Sequence, residues 1–147
     1  MVQGQRGQHT QRRGDAADLS TREQLASWVE GYVKAWSSND PDEIRALFTE
    51  DARYFTEPHA EPWTGHYAIV SEWLDRKDEP EEYTFRWEIL AMDGNLGFVR
   101  GWTDYPQHDP PRRYGNLWVI RLADDGRATE YTEWYVRIRD ATQPFPE

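Results

Sequence analysis

In Tyr131-Thr132-Glu133-Trp134-Tyr135, strand alternation puts Glu133 on the same side as the rings of Tyr131 and Tyr135. A carboxylate packed against aromatic rings loses hydration, and its pKa rises toward neutrality. Such a group can take a proton from a substrate and return it without a metal. The plainer alternative is a rim glutamate paired with a cross-strand arginine. Tyr54 is the candidate partner, a phenol able to donate to a substrate oxygen or to satisfy a backbone carbonyl. His59 lies in a proline-rich loop and belongs to the residue type that titrates nearest neutral pH, so it is a candidate acid or base. Asp104 is a further candidate acid, sharing a strand face with Phe98, Arg100 and Trp102. Asp104 and Arg100 could equally form ion pairs with Arg113 or Glu133. Candidate ligand contacts are Arg100, Trp102, Tyr131, Tyr135, Trp28, Trp63, His66 and Trp87; for the rings, ordinary packing in a twisted sheet is the competing reading.

Several chemistries are excluded or disfavoured. The chain has no cysteine, so disulfides, thiolate metal sites and thiol catalysis are ruled out. His59 and His66 could be joined by Glu57 or Glu61, but the loop lacks metal-ligand spacing, and no metal is expected. Neither a Ser-His-Asp order, a glycine-rich phosphate loop nor a dinucleotide fingerprint is present, and no cofactor is expected. A net charge of −10 disfavours nucleic acid, anionic membranes and highly phosphorylated ligands. No apolar run approaches the length of a membrane span, so a cytoplasmic location is the default. Eight Trp, eight Tyr and five Phe are more rings than a core of this size needs, which suggests a lined cavity or an interface.

The elements that would position these residues follow from spacing. Residues 1–18 are rich in Gln, Gly and Arg and read as a disordered tail. A domain then spans 19–140, and a polar end covers 141–147. Ser20 and Glu23 read as a capping box opening a helix whose apolar stripe is Leu25, Trp28, Val29, Tyr32, Val33 and Trp36. Asp40 and Pro41 open a second, short helix. A brief strand is expected over 52–56, a loop over 57–65 and a third helix over 66–75. Strands follow over 83–92 and 96–105. A long hairpin then folds about Asp124-Asp125-Gly126, where glycine supplies the positive φ of the turn.

Leu47-Phe48-Thr49-Glu50-Asp51-Ala52, Gly65-His66-Tyr67-Ala68-Ile69 and Leu117 through Arg127 (LWVIRLADDGR) occur here in an order and spacing that resembles the SnoaL-like branch of the nuclear-transport-factor-2-like superfamily. The resemblance covers about residues 20–139. It implies an α+β, cystatin-like roll: a cone-shaped, curved antiparallel sheet wrapped around three N-terminal helices, with a cavity at the open end. It also implies a small-molecule ligand and a homodimer, for which Trp134, Val136 and Ile138 offer an outward apolar patch. By similarity, Glu133 matches a last-strand aspartate of the epoxide hydrolases in this superfamily. Arg100 matches the arginine of their Arg-x-Asp pair, but Trp102 fills the aspartate position, which argues against the same water activation. The resulting expectation is a cofactor-independent isomerase, cyclase or hydrolase working by carboxylate acid–base chemistry on a small, largely apolar ring compound. The alternative is a non-catalytic ligand-binding or dimerisation module.

Overall fold

Leu25, Trp28, Val29 and Tyr32 recur one helical turn apart, and all four are buried against the sheet. The computed structural model describes residues 7–139, with side chains from Thr21 onward. Helix α1 spans Gly7–Ser38, so the helix start expected at Ser20 is corrected: Ser20 and Glu23 lie inside the helix. An interior turn donates its N–H groups to the preceding carbonyls and needs no cap. The upstream stretch is rich in Gln, Arg and Ala, which extend a helix readily once it is nucleated. Residues 1–6 of the expected tail and residues 141–147 lie outside the described residues.

Asn39 ends α1 with a left-handed φ of 54°, its N–H donating to Ala35 O at 2.7 Å. Asp40 then caps α2 (Pro41–Arg45), accepting from the Asp42 N–H at 2.9 Å. Glu43 does not reach back to the cap; it accepts from Ser38 Oγ and pairs with Lys34.

Strand β1 (Phe48–Phe55) starts earlier than expected, and the proline loop after it ends in a two-residue strand, β2 (Trp63–Thr64). Helix α3 (Gly65–Asp75) follows, then a single 3-10 turn at Pro80–Glu82. Strands β3 (Thr84–Asp93), β4 (Leu96–Tyr105), β5 (Arg112–Leu122) and β6 (Ala128–Arg137) complete the chain near their expected bounds. The six strands run in the order β2-β1-β6-β5-β4-β3, antiparallel except for the β1–β6 pair. Register shifts in the β1–β6, β3–β4 and β5–β6 pairings mark irregularities of the kind that bend a sheet. The product is a curved, unclosed α+β sheet with the helices on its concave side.

Glycine lets α1 approach that closely. A Cβ at Gly97 on β4 would lie 2.5 Å from Leu25 Cδ2, inside the repulsive wall. The core beneath α1 is aromatic: Trp28 meets Phe48 and Trp118 edge-on at 5.9 and 6.5 Å, and Tyr32 stacks on Tyr131 at 5.5 Å. Trp28 Nε1 donates to Leu47 O at 2.7 Å, which satisfies the indole inside the core.

Candidate functional site

Cross-strand register decides which side chains turn inward. Val99 pairs with Trp118, and Trp118 pairs with Glu133, so these three form one row on the concave face. Past the end of the packed core, this face opens into a cavity of about 390 Å³. Its aromatic walls include Tyr32, Trp36, Tyr54, Trp63, Trp73 and Trp118. Its polar groups include Glu133, Asn116, Thr103, Tyr105 and Asp78.

Among the described residues, Glu133 is held by neutral donors alone. Asn116 Nδ2 donates to its Oε2 at 2.7 Å, and Trp118 Nε1 donates to the same oxygen at 3.2 Å. Thr103 Oγ1 donates to Asn116 Oδ1 at 2.8 Å, which fixes the amide so that its NH₂ faces the carboxylate. Neither hydrogen bond engages Oε1. The residue keeps some exposed surface because it faces the cavity, while protein surrounds its carboxyl on the other sides. Desolvation raises the Glu133 pKa; the bonds from Trp118 and Asn116 oppose the rise without cancelling it.

The hydroxyls of Tyr32, on α1, and Tyr54, on the strand β1 next to β6, lie 2.7 Å apart. One proton is consumed in that bond, leaving the other hydroxyl free to donate to a third partner. Burial, reinforced by neighbouring charges including Glu133, pushes both phenols above their usual range, so they remain donors at neutral pH. Tyr131 is fully buried behind them, and its hydroxyl has no hydrogen-bond partner of good geometry. At the mouth, Trp36 Nε1 and Tyr105 O–H both donate to Asp78 Oδ2, at 3.1 and 3.0 Å.

The structure brings together some of the residues expected from sequence and separates others. Glu133, Tyr54, Trp63 and Tyr135 line the cavity, and Tyr131 lies in the core under its floor. Arg100, Trp102 and Asp104 are corrected: their side chains leave β4 on the convex face, opposite Glu133. Arg100 pairs with Glu88 at 2.7 Å, and Asp104 pairs with Arg113 at 3.5 Å. Trp102 stacks with the guanidinium groups of Arg86 and Arg100, 4.5 and 4.9 Å from its ring centre. Trp28 and Trp87 belong to the packing around α1 and do not line the cavity.

His59, with φ of 68°, sits on the convex side in a shallow groove with Phe55, Val119 and Trp134. His66 Nε2 donates to Phe48 O at 2.7 Å and ties the start of α3 to β1, so it serves as a structural latch. Sequence reasoning passed over Tyr32, Thr103, Asn116 and Trp118. Tyr32 was hidden in the apolar stripe of α1, and the other three gain meaning only once β4, β5 and β6 are in register.

Among the described residues, no group of three or more His, Asp or Glu is arranged to hold a metal ion. No described helix is long and apolar enough to cross a membrane.

An NTF-2-like protein of unknown function from Burkholderia xenovorans LB400 has a similar structure, with a TM-score of 0.61 at 16% identity, covering 86% of this chain and 88% of that one. An LEH-like epoxide hydrolase from M. tuberculosis matches with a TM-score of 0.58 at 15% identity, over 78% and 84% of the two chains. A protein with a cystatin-like fold from Silicibacter pomeroyi DSS-3 matches with a TM-score of 0.56 at 15% identity, over 74% and 73%. At these identities the likeness establishes the fold alone. No curated protein matches the chain in sequence. The SnoaL-like domain matches residues 29–131, which contain α3, β1 to β5, most of the hairpin and the aromatic wall of the cavity, and the chain therefore belongs to the SnoaL-like domain family.

Proposed function

We propose that the protein is a cofactor-independent enzyme in which Glu133 moves a proton on a small, largely apolar ring compound. Isomerisation, cyclisation and hydrolytic ring opening all require such a step. The observation that carries this reading is the Glu133 carboxylate, lining an aromatic cavity with Asn116 and Trp118 as its donors among the described residues. A structural carboxylate would be better served by a cation. A raised pKa instead suits a group that must change protonation state near neutral pH. Glu133 takes the proton, and the free hydroxyl of the Tyr32–Tyr54 pair polarises the substrate oxygen where negative charge develops.

The test is incubation in D₂O with a panel of cyclic ketones and epoxides, followed by NMR of deuterium incorporation and ring opening. The wild-type protein should turn over at least one class, and Glu133→Gln should lose about 10²-fold or more. Unchanged turnover in that variant rules the mechanism out.

A second reading, a binding or dimerisation module, draws support from the convex face. Trp134 and Val136 are 49% and 72% exposed there, next to Leu117 and Val119. We propose a homodimer through this face, and a cytoplasmic setting, under either reading. Light scattering at high concentration checks the dimer, since a clean monomer contradicts it.

A further inference from the structure

The cavity is sorted by charge in a way that the reading of Glu133 does not use. Arg76, Lys77 and Arg112 line it and are exposed, so these three cations stand at its mouth in a chain whose net charge is −10. Asp78 also lines the cavity but already accepts from Trp36 and Tyr105 on one oxygen, and Lys77 pairs with Glu79 at 3.9 Å. Arg112 enters no ion pair among the described residues. Arg76 pairs with Glu72 at 3.0 Å on the surface, an exposed contact of small worth, and its guanidinium lies 5.4 Å from the Trp63 ring centre. Trp63 in turn stacks on Tyr54 at 4.5 Å with only 13° between the planes. One wall is therefore a column that runs from the Tyr54 phenol through the Trp63 ring to the Arg76 cation.

We propose that the ligand is an amphiphilic monoanion: a flat apolar ring body lying along the Tyr54–Trp63 column, with a carboxylate tail reaching Arg76 and Arg112 at the mouth. This names a substrate class for the cavity assigned above and rests on that assignment. A planar guanidinium matches a carboxylate through parallel hydrogen bonds. Anchoring the tail at the cationic end also keeps it away from Glu133, whose own charge repels an anion. The ring is thereby oriented with its reacting end inward, because the reversed pose sets two carboxylates against each other.

The experiment compares 2-naphthylacetate with 2-naphthylacetamide, two probes of one shape that differ in charge, by isothermal titration calorimetry at pH 7 and low salt. The carboxylate should bind about tenfold tighter, the scale of a charge-assisted hydrogen bond. The Arg76→Gln/Arg112→Gln double variant should lose that preference while keeping its affinity for the amide. Equal affinities, a preference that survives in the double variant, or no binding of the carboxylate overturns the inference. Glu133→Gln separates this inference from the catalytic one. That variant should keep the preference for the anion, whereas its turnover tests the catalytic reading alone.

Discussion

The two faces of β4, β5 and β6 treat charge in opposite ways. On the convex face charged side chains are matched with their opposites: Arg100 with Glu88, Asp104 with Arg113, and Arg53 on β1 with Glu130 on β6. On the concave face Glu133 forms no ion pair among the described residues and is held by an amide and an indole. The exposed convex pairs, Arg100–Glu88 and Arg53–Glu130, contribute little and are screened by solvent. A desolvated, unpaired carboxylate carries a cost that packing must offset, and such costs concentrate where a fold does chemistry. A residue's charge therefore says less about its role than which side of the sheet it leaves.

The strongest break in this contrast is Glu133→Gln. Gln can still accept from Asn116 and Trp118, and it removes the charge. Turnover should fall by about 10²- to 10⁴-fold, while thermal unfolding at pH 8 shows no loss of stability. The pH dependence sharpens the same point. The folded-state pKa of Glu133 lies above its unfolded value near 4.5, so the folded protein holds this proton after the unfolded chain has released it. The associated stability is fully present below that unfolded value and is lost as pH rises through the folded pKa. Wild-type melting temperature, measured relative to the Gln variant, should therefore decline from pH 4 to pH 8.

Gly97→Ala should come next in effect. Its Cβ would press on the buried Leu25, costing about 1–3 kcal/mol in a chemical denaturation curve, with less harm to a cavity formed farther along the strands. Tyr54→Phe should lower turnover about tenfold, because Tyr32 retains one hydroxyl to donate. Smallest are Arg100→Ala and Glu88→Gln, at an exposed pair on the convex face. Each should change stability by less than about 1 kcal/mol and leave turnover as it was. A large loss of activity from either would erase the distinction between the faces.

Much of the architecture was legible because it rests on local periodicity. The α1 stripe, the Asp40 cap, the Gly126 turn (φ 88°) and the bounds of β4 could all be read in one pass. Glu133 was legible for the same reason, since alternation alone placed it between Tyr131 and Tyr135. Arg100 and Asp104 misled because chemistry-bearing residue types drew attention to the even positions of β4. The odd positions, Gly97, Val99, Gly101, Thr103 and Tyr105, are small or uncharged and are the ones that face α1 and the cavity. A row of small residues at period two marks a close-packed face, and that signal was present. The Thr103–Asn116–Glu133 chain spans three strands and depends on non-local register, which no single stretch of sequence encodes. His66 was drawn toward the cavity by its residue type, whereas its hydrogen bond to Phe48 O joins two elements 18 positions apart.

The most direct measurement is the titration of the Glu133 side-chain carboxyl carbon by NMR, with the Glu133→Gln spectrum identifying the resonance. A midpoint clearly above the ordinary glutamate range of about 4.3–4.5 is the result required by a desolvated carboxylate with neutral partners. A midpoint at or below that range would show a well-solvated or cation-paired group, and the proton-transfer account would be wrong.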